Sequence, residues 1–358
     1  MLKTIVEKFN ISGSFVDAVP LGQGHINSTY MVTLSENGTE NYYVLQKINH
    51  TIFKDVDGLM NNIALVTAHL NAKMQNTSQK SLVFIKTKTN ERYYFENDGD
   101  YYRMYHYVGN SKTYQKAESL DVFYKTAVAF GQFVNLLSDF DATRLTETIP
   151  DFHNTVKRFA DFKQAVKDDK MNRLEGVKAE VDFILSREED CGIVVNLLNE
   201  GRIPLRVTHN DTKLNNVLFN NETGQILSVI DLDTVMPGLA LNDYGDAIRF
   251  GASSGAEDET DLSKIYMSLD LFETYTKGYL SEAKSSLTKT EKNHLAISAK
   301  LMTLECGMRF LGDHLNGDVY FKIHRENHNL DRARTQLKLV ADMESKMEQM
   351  KEIVERYS

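Results

Sequence analysis

The 358-residue chain is poor in cysteine, with only Cys191 and Cys306. So few thiols exclude a disulfide framework and a cysteine-rich metal site, and they suit a reducing compartment. Positive charge is also short: 41 Lys and Arg stand against 50 Asp and Glu, for a net charge of −9. Nucleic-acid phosphates reward basic faces, so this balance argues against a nucleic-acid partner. Long apolar runs are missing too, and no stretch approaches the length of a membrane span. The amino terminus, MLKTIVEKFNIS, spaces Leu2, Ile5, Val6 and Phe9 as one face of a helix, while Lys3, Glu7 and Lys8 interrupt any signal-peptide core. Neither an internal repeat nor a low-complexity linker is present. Hydrophobic content of 42% and charged content of 25% are ordinary for a globular protein. These features predict a cytoplasmic protein with a large core.

What is there falls into two parts. Residues 41–48, NYYVLQKI, read as a strong β-run, and residues 82–86, 92–95 and 101–108 are β-prone. With the strand around Tyr30, Met31 and Val32 they predict a five-stranded antiparallel sheet. Residues 51–70 between them read as a helix with Ile63, Val66 and Leu70 on one face. From Ser119, a capping residue, the pattern becomes helical: 119–137, 152–167, 177–198, 262–280, 289–311 and 331–357. A β-rich first third followed by helices is an α+β pattern rather than alternating βα units. Residues 251–259, GASSGAEDE, read as a loop.

The helical part is interrupted once, by residues 206–238, RVTHNDTKLNNVLFNNETGQILSVIDLDTVMPG. Residues 206–208 are extended, and His209-Asn210-Asp211 is turn material. Residues 216–219 and 225–230 flank the turn Asn220-Asn221-Glu222-Thr223-Gly224 and predict a hairpin. A count outward from its middle, between Thr223 and Gly224, sets Asn216 opposite Asp231. Phosphoryl transfer from a nucleotide needs a carboxylate near the attacking hydroxyl and hard oxygen ligands for Mg²⁺. Asp211 suits the first role; Asn216 and Asp231 suit the second. Upstream, LGQGHINSTYMVT places Gly22 and Gly24 where a backbone can approach a ligand closely, ahead of a strand.

His209-x-Asp211-x-x-x-x-Asn216 followed by Ile230-Asp231-x-Asp233 resembles the catalytic and metal loops of the aminoglycoside phosphotransferase and choline kinase superfamily. The resemblance implies a protein-kinase-like bilobal fold, with a sheet lobe over residues 1–108 and a helical lobe over 109–358. It implies ATP and Mg²⁺, Asp211 as the catalytic carboxylate, and Asn216 and Asp231 as metal ligands. The turn carrying Gly22, Gly24, His25 and Asn27 resembles the superfamily's phosphate-covering turn. The basic residue that holds phosphates from the third strand has two candidate places, Gln46 and Lys47, on opposite faces. No glutamate in 51–70 offers the usual counter-ion. Asp243 resembles the carboxylate that braces the catalytic loop.

The strings HNDTKLNN, IDLDTVMPG, GDAIRFGAS and LMTLECGMRFL are similar to the N-acetylhexosamine 1-kinase subfamily. That likeness implies a small-molecule sugar substrate, N-acetylglucosamine or N-acetylgalactosamine, with Asp233, Phe250, Arg309, Asp313 and Tyr320 at the sugar. Arg309 and Asp313 are four apart on one helix face. Kinases of choline, homoserine or an aminoglycoside remain alternatives, as does a non-catalytic nucleotide-binding pseudokinase. Choline would call for an aromatic cage, and the chain has no Trp, though it has 17 Tyr. The oligomeric state stays open, a monomer included.

Overall fold

The computed structural model describes residues 1–22, 27–75, 79–89 and 92–358. Contacts group the chain into two compact units, and neither is one continuous stretch. The first comprises Met1–Thr113, Phe140–Pro150 and Val217–Met236; the second comprises Tyr114–Asp139, Asp151–Asn216 and Pro237–Ser358.

The first unit begins with helix α1 (Leu2–Val6) and continues with β1 (Ser14–Pro20), β2 (Ser28–Glu36), β3 (Thr39–Ile48), α2 (Val56–Lys73), β4 (Tyr94–Asn97), β5 (Asp100–His106) and β6 (Ser111–Lys112). A five-stranded antiparallel sheet forms in the order β1-β2-β3-β5-β4. Alternation sets its faces. Val32, Leu34, Tyr43, Leu45, Tyr102 and Met104 point to one side and bury against Ile5, Val6 and Phe9 of the amino terminus. Gln46 and Arg103 are register partners on the other side.

Two sequence expectations are corrected here. Residues 82–86 do not form a ladder strand; they touch the sheet through a single bridge, Phe84 to Tyr105. The fifth strand is β1, which the pattern hid because its side chains are mostly exposed and its register slips between Phe15 and Asp17. Helix α2 starts at Val56 rather than Thr51, since the Asp55 carboxylate caps it by accepting the Gly58 N–H at 2.8 Å.

The second unit carries α3 (Leu120–Leu136), α4 (Thr155–Asp168), α5 (Lys178–Leu185), α6 (Glu188–Cys191), α7 (Ile193–Asn199) and β7 (Arg206–Thr208). The chain then supplies β8 (Val217–Asn220) and β9 (Ile226–Val229) to the first unit, and returns as α8 (Ala240–Gly251), α9 (Leu269–Ala283), α10 (Lys289–Asn316), α11 (His328–Ser345) and α12 (Met347–Tyr357). Ser119 caps α3 as expected, accepting the Val122 N–H at 3.2 Å. Thr288 and Glu291 form a reciprocal capping box at the start of α10. Around α10 the core gathers Phe159 and Phe162 from α4, Ile184 from α5, and Leu337 and Val340 from α11.

The helix expected over residues 177–198 is broken. Arg187 sends its guanidinium to the Phe183 carbonyl at 2.6 Å and to both oxygens of Glu344. Its own N–H turns to Ile184 instead, which tightens the turn and ends α5. The hairpin count is also off by one. Asn220 Oδ1 accepts the N–H groups of Glu222 and Thr223, so the turn closes early and Val217 pairs with Val229, not with Ile230.

Candidate active site

In the second unit, β7 delivers the turn His209-Asn210-Asp211. Its start is fixed by Arg206, which pairs with Glu291 of α10 through Nε at 2.6 Å and Nη2 at 2.8 Å. Asn210 takes a left-handed φ of +62°, and the buried backbone donors of that turn need acceptors. Asp243, on the first turn of α8, supplies them: its oxygens accept the N–H of His209 at 2.8 Å and of Asn210 at 2.7 Å. Thr212 Oγ1 donates to the Asp243 carbonyl at 2.6 Å. From another side, His153 places one ring nitrogen 2.8 Å from Glu305 and the other 3.3 Å from the Asn210 carbonyl. The His209 ring packs edge-on against Phe130 and Phe133 of α3. Gly238 is required by close approach, because a Cβ there would lie 2.1 Å from Thr208 Oγ1.

Burial pushes the Asp243 carboxyl up to about 6, against the pull of His209 and of the two amides. Protonation occupies one accepting oxygen, so acidification through that value weakens one of the two bonds. The amide proton resonances of His209 and Asn210 are therefore expected to titrate together with a midpoint near 6. Shifts that stay flat across about pH 5 to 8 would contradict this.

Asp211 projects from the braced turn and is partly exposed. Asn216 Nδ2 donates to its Oδ2 at 3.0 Å and to its main-chain carbonyl at 2.8 Å. Lys213 Nζ lies 2.7 Å from Oδ1. Burial alone would lower the Lys213 pKa, but Asp211 and Asp246 more than offset that and hold it above its ordinary value. The sequence reading missed Lys213; its spacing two residues beyond Asp211, on a turn, was the available signal. With its amide nitrogen committed to Asp211, Asn216 presents its carbonyl oxygen as a hard ligand, which fits Mg²⁺.

Further along the second unit, Arg309 of α10 lies 5.5 Å from the Phe152 ring centre, 5.7 Å from Tyr320 and 5.4 Å from Phe321. Its Nη2 reaches the Tyr320 hydroxyl at 3.4 Å. Phe250 sits half-buried at the end of α8. Asp313 holds the loop that follows α10. Its oxygens accept the N–H of Val319, Tyr320 and Phe321 and the Asn329 amide, at 2.9–3.0 Å. Four donors fill a carboxylate. Arg249 bridges Asp246 and Glu257, an architectural pair. Burial pushes both thiols up to about 12, so neither Cys191 nor Cys306 is a nucleophile at neutral pH.

In the first unit, Asp231 follows β9 with a left-handed φ of +60°. Asp233 is buried, accepting from Asn27 Nδ2 at 2.5 Å and pairing with Arg103 at 2.5 Å. Gln46 accepts from Arg103 Nε at 2.9 Å, while Lys47 faces the opposite side and pairs with Asp100 at 2.7 Å. Gly22 has a φ of +70°. Gly24 and His25 lie outside the described residues.

A braced H-x-D-x-x-x-x-N turn, with an I-D-x-D turn after a β-hairpin, defines a phosphotransferase of protein-kinase-like α+β fold. The profile of the phosphotransferase enzyme family that includes the aminoglycoside kinases matches residues 17–266, and the chain belongs to that family. It is a phosphotransferase. Solved structures share the fold. An aminoglycoside phosphotransferase from Alicyclobacillus acidocaldarius aligns with a TM-score of 0.60 and 13% identity, over 99% of this chain and 97% of that one. A microcompartment-associated aminopropanol kinase gives 0.58 and 15%, over 98% and 97%. A spectinomycin phosphotransferase in complex with ADP and spectinomycin gives 0.59 and 11%, over 97% and 98%. Among the described residues, no helix is long and apolar enough to cross a membrane.

Proposed function

We propose that the protein transfers phosphate from ATP to the anomeric hydroxyl of N-acetylglucosamine and N-acetylgalactosamine, giving the sugar α-1-phosphate. The observation that carries the substrate class is Arg309. Among the described residues no carboxylate pairs with it, and it stands within a cluster of aromatic rings. Such a guanidinium repels choline, a protonated amino alcohol or a polycationic aminoglycoside. A neutral sugar suits it: the rings offer apolar walls for C–H faces and an acetamido methyl, and the guanidinium donates to hydroxyls or to the acetamido carbonyl.

Asp211 orients the acceptor hydroxyl and takes its proton as the new P–O bond forms. An anomeric hydroxyl is more acidic than the other sugar hydroxyls, so a single carboxylate is an adequate base. Asn216 and Lys213 fix the Asp211 rotamer, and Asp243 fixes the turn beneath it. Asn216 and Asp231 are the proposed ligands of Mg²⁺, which when bound offsets charge on the phosphoryl group in transit. ATP is the donor, with Gly22, Gly24, His25 and Asn27 proposed to cover its phosphates.

Phosphorus NMR of the product, with a kcat/KM series, tests this reading. Phosphate is expected on the anomeric oxygen. Glucose and galactose, which lack the acetamido group, should be poorer by roughly 5- to 150-fold, the value of one lost buried hydrogen bond. Phosphate on the 6-hydroxyl, or a preference for choline, homoserine or an aminoglycoside, would overturn the sugar 1-kinase assignment and leave the fold untouched.

A further inference from the structure

The face of the sheet that carries Gln46 holds a cation that no step above uses. Arg103 stands directly across from Gln46 in the β3–β5 ladder and is buried. Burial alone would lower its pKa, but Asp233 more than offsets that, with smaller help from Tyr105 and Asp231. The guanidinium is held from both sides: Nε donates to Gln46 Oε1 at 2.9 Å, and Gln46 Nε2 donates onward to Thr29 Oγ1 at 3.1 Å. Its partner is held as well. Asp233 Oδ2 accepts from Asn27 Nδ2, and Asn27 Oδ1 accepts the Asn49 N–H at 2.9 Å.

The ion pair clamps a turn. Asp233 is two residues beyond Asp231, and only buried Leu232 lies between them. Asp231 has a left-handed φ of +60°, a conformation that Asp and Asn enter more readily than other non-glycine residues and that contacts around the turn must still hold in one place. At the far end of the same turn, Asn62 of α2 donates to the Val235 carbonyl at 3.0 Å. A buried ion pair is a poor source of stability, since apolar side chains of similar volume serve as well. It does fix one geometry.

We propose that Arg103 is a positioning residue for the metal turn. With Asn27 it locks Asp233, and through Leu232 it holds the Asp231 carboxylate in the one orientation that a metal can use. The cation expected on β3 is thus displaced to the neighbouring strand, and Asp233 takes the part of counter-ion rather than touching the sugar. This rests on the kinase reading of Asp231.

The test uses the full-length protein with Arg103→Met, Arg103→Lys and the double variant R103M/D233N. Hydrogen exchange of residues 231–235 is read without metal, ADP affinity is read calorimetrically without metal, and the Mg²⁺ dependence of turnover is read separately. Arg103→Met should speed exchange in the turn and raise the Mg²⁺ needed for half-maximal rate by roughly 10- to 100-fold, the usual cost of losing a group that orients a metal ligand. ADP affinity without metal should stay within about 3-fold, and Arg103→Lys should recover part of the Mg²⁺ response. R103M/D233N removes both buried charges, so it should regain thermal stability while the turn stays open and the Mg²⁺ requirement stays high. The proposal fails if the double variant has a protected turn and a normal Mg²⁺ response, because the pair is then merely structural. It fails equally if metal-free ADP affinity drops about 10-fold with the turn still protected, because Arg103 then touches the nucleotide itself. If the wild-type protein transfers no phosphate, the kinase reading is lost, yet the exchange measurement still decides whether Arg103 holds the turn.

Discussion

Asp211→Asn is expected to lower kcat by roughly 10²- to 10⁴-fold while nucleotide affinity stays nearly unchanged. The substitution keeps the shape of the side chain and removes its basicity. One oxygen remains to accept from Asn216 or Lys213, but not from both, so the new amide must turn its nitrogen toward one of two donors. The turn itself should survive, because Asp243 holds it through the backbone of His209 and Asn210 and does not touch the Asp211 side chain. A fall in kcat with an unchanged melting temperature is therefore the signature of lost base function. Isothermal titration with ADP and steady-state kinetics on the preferred acceptor measure the two quantities. A variant that keeps more than about a tenth of the wild-type kcat would remove Asp211 from the proposed role.

The elements that were readable in the sequence are those whose geometry is local. Ser119 announces a helix start because a cap acts within one turn. The spacing of His209, Asp211 and Asn216 is readable because all three belong to one turn and the short helical step after it. Asp243 needed the resemblance, since nothing nearby shows that its carboxylate reaches back to the amides of His209 and Asn210.

What was not readable depends on distant partners or on slips of one residue. Arg103 lies between Tyr102 and Met104, both core residues, so simple alternation sends it toward solvent. Its burial makes sense only once Asp233 is placed beside it. Gln46 and Lys47 were two candidate places for a phosphate anchor; the parity of Lys47 matches that of Tyr43 and Leu45, and it ends at the rim of their face with Asp100. The hairpin count failed because the Asn220 side chain, and not the strand residues, decides where the turn closes. The hold of Asp313 on its loop was hidden as well, because the three backbone donors that it accepts come from a segment whose path no periodicity encodes.

The brace offers the largest expected effect on stability. Asp243→Ala removes the acceptors of two backbone N–H groups at positions that are buried, His209 fully so and Asn210 nearly so. Water cannot replace those acceptors without opening the turn. An unsatisfied buried donor costs about 1–3 kcal/mol, so the pair should cost roughly 2–6 kcal/mol. The bond from Thr212 Oγ1 is to the Asp243 main-chain carbonyl and is kept, which confines the change to the turn. Asp243→Asn should be nearly as damaging although it is isosteric. It offers one oxygen where two donors converge, and it aims an NH₂ at the other N–H. Both variants should melt more than about 4 °C below wild type, and both should lose turnover because Asp211 is no longer held in place. Amide exchange at His209 and Asn210 should rise in step with the loss of rate. If Asp243→Ala melts like wild type and turns over within about 2-fold, the turn is held by other contacts, with the His153 ring against the Asn210 carbonyl the first to examine. If only the alanine variant is impaired, one acceptor is enough and the second bond contributes little.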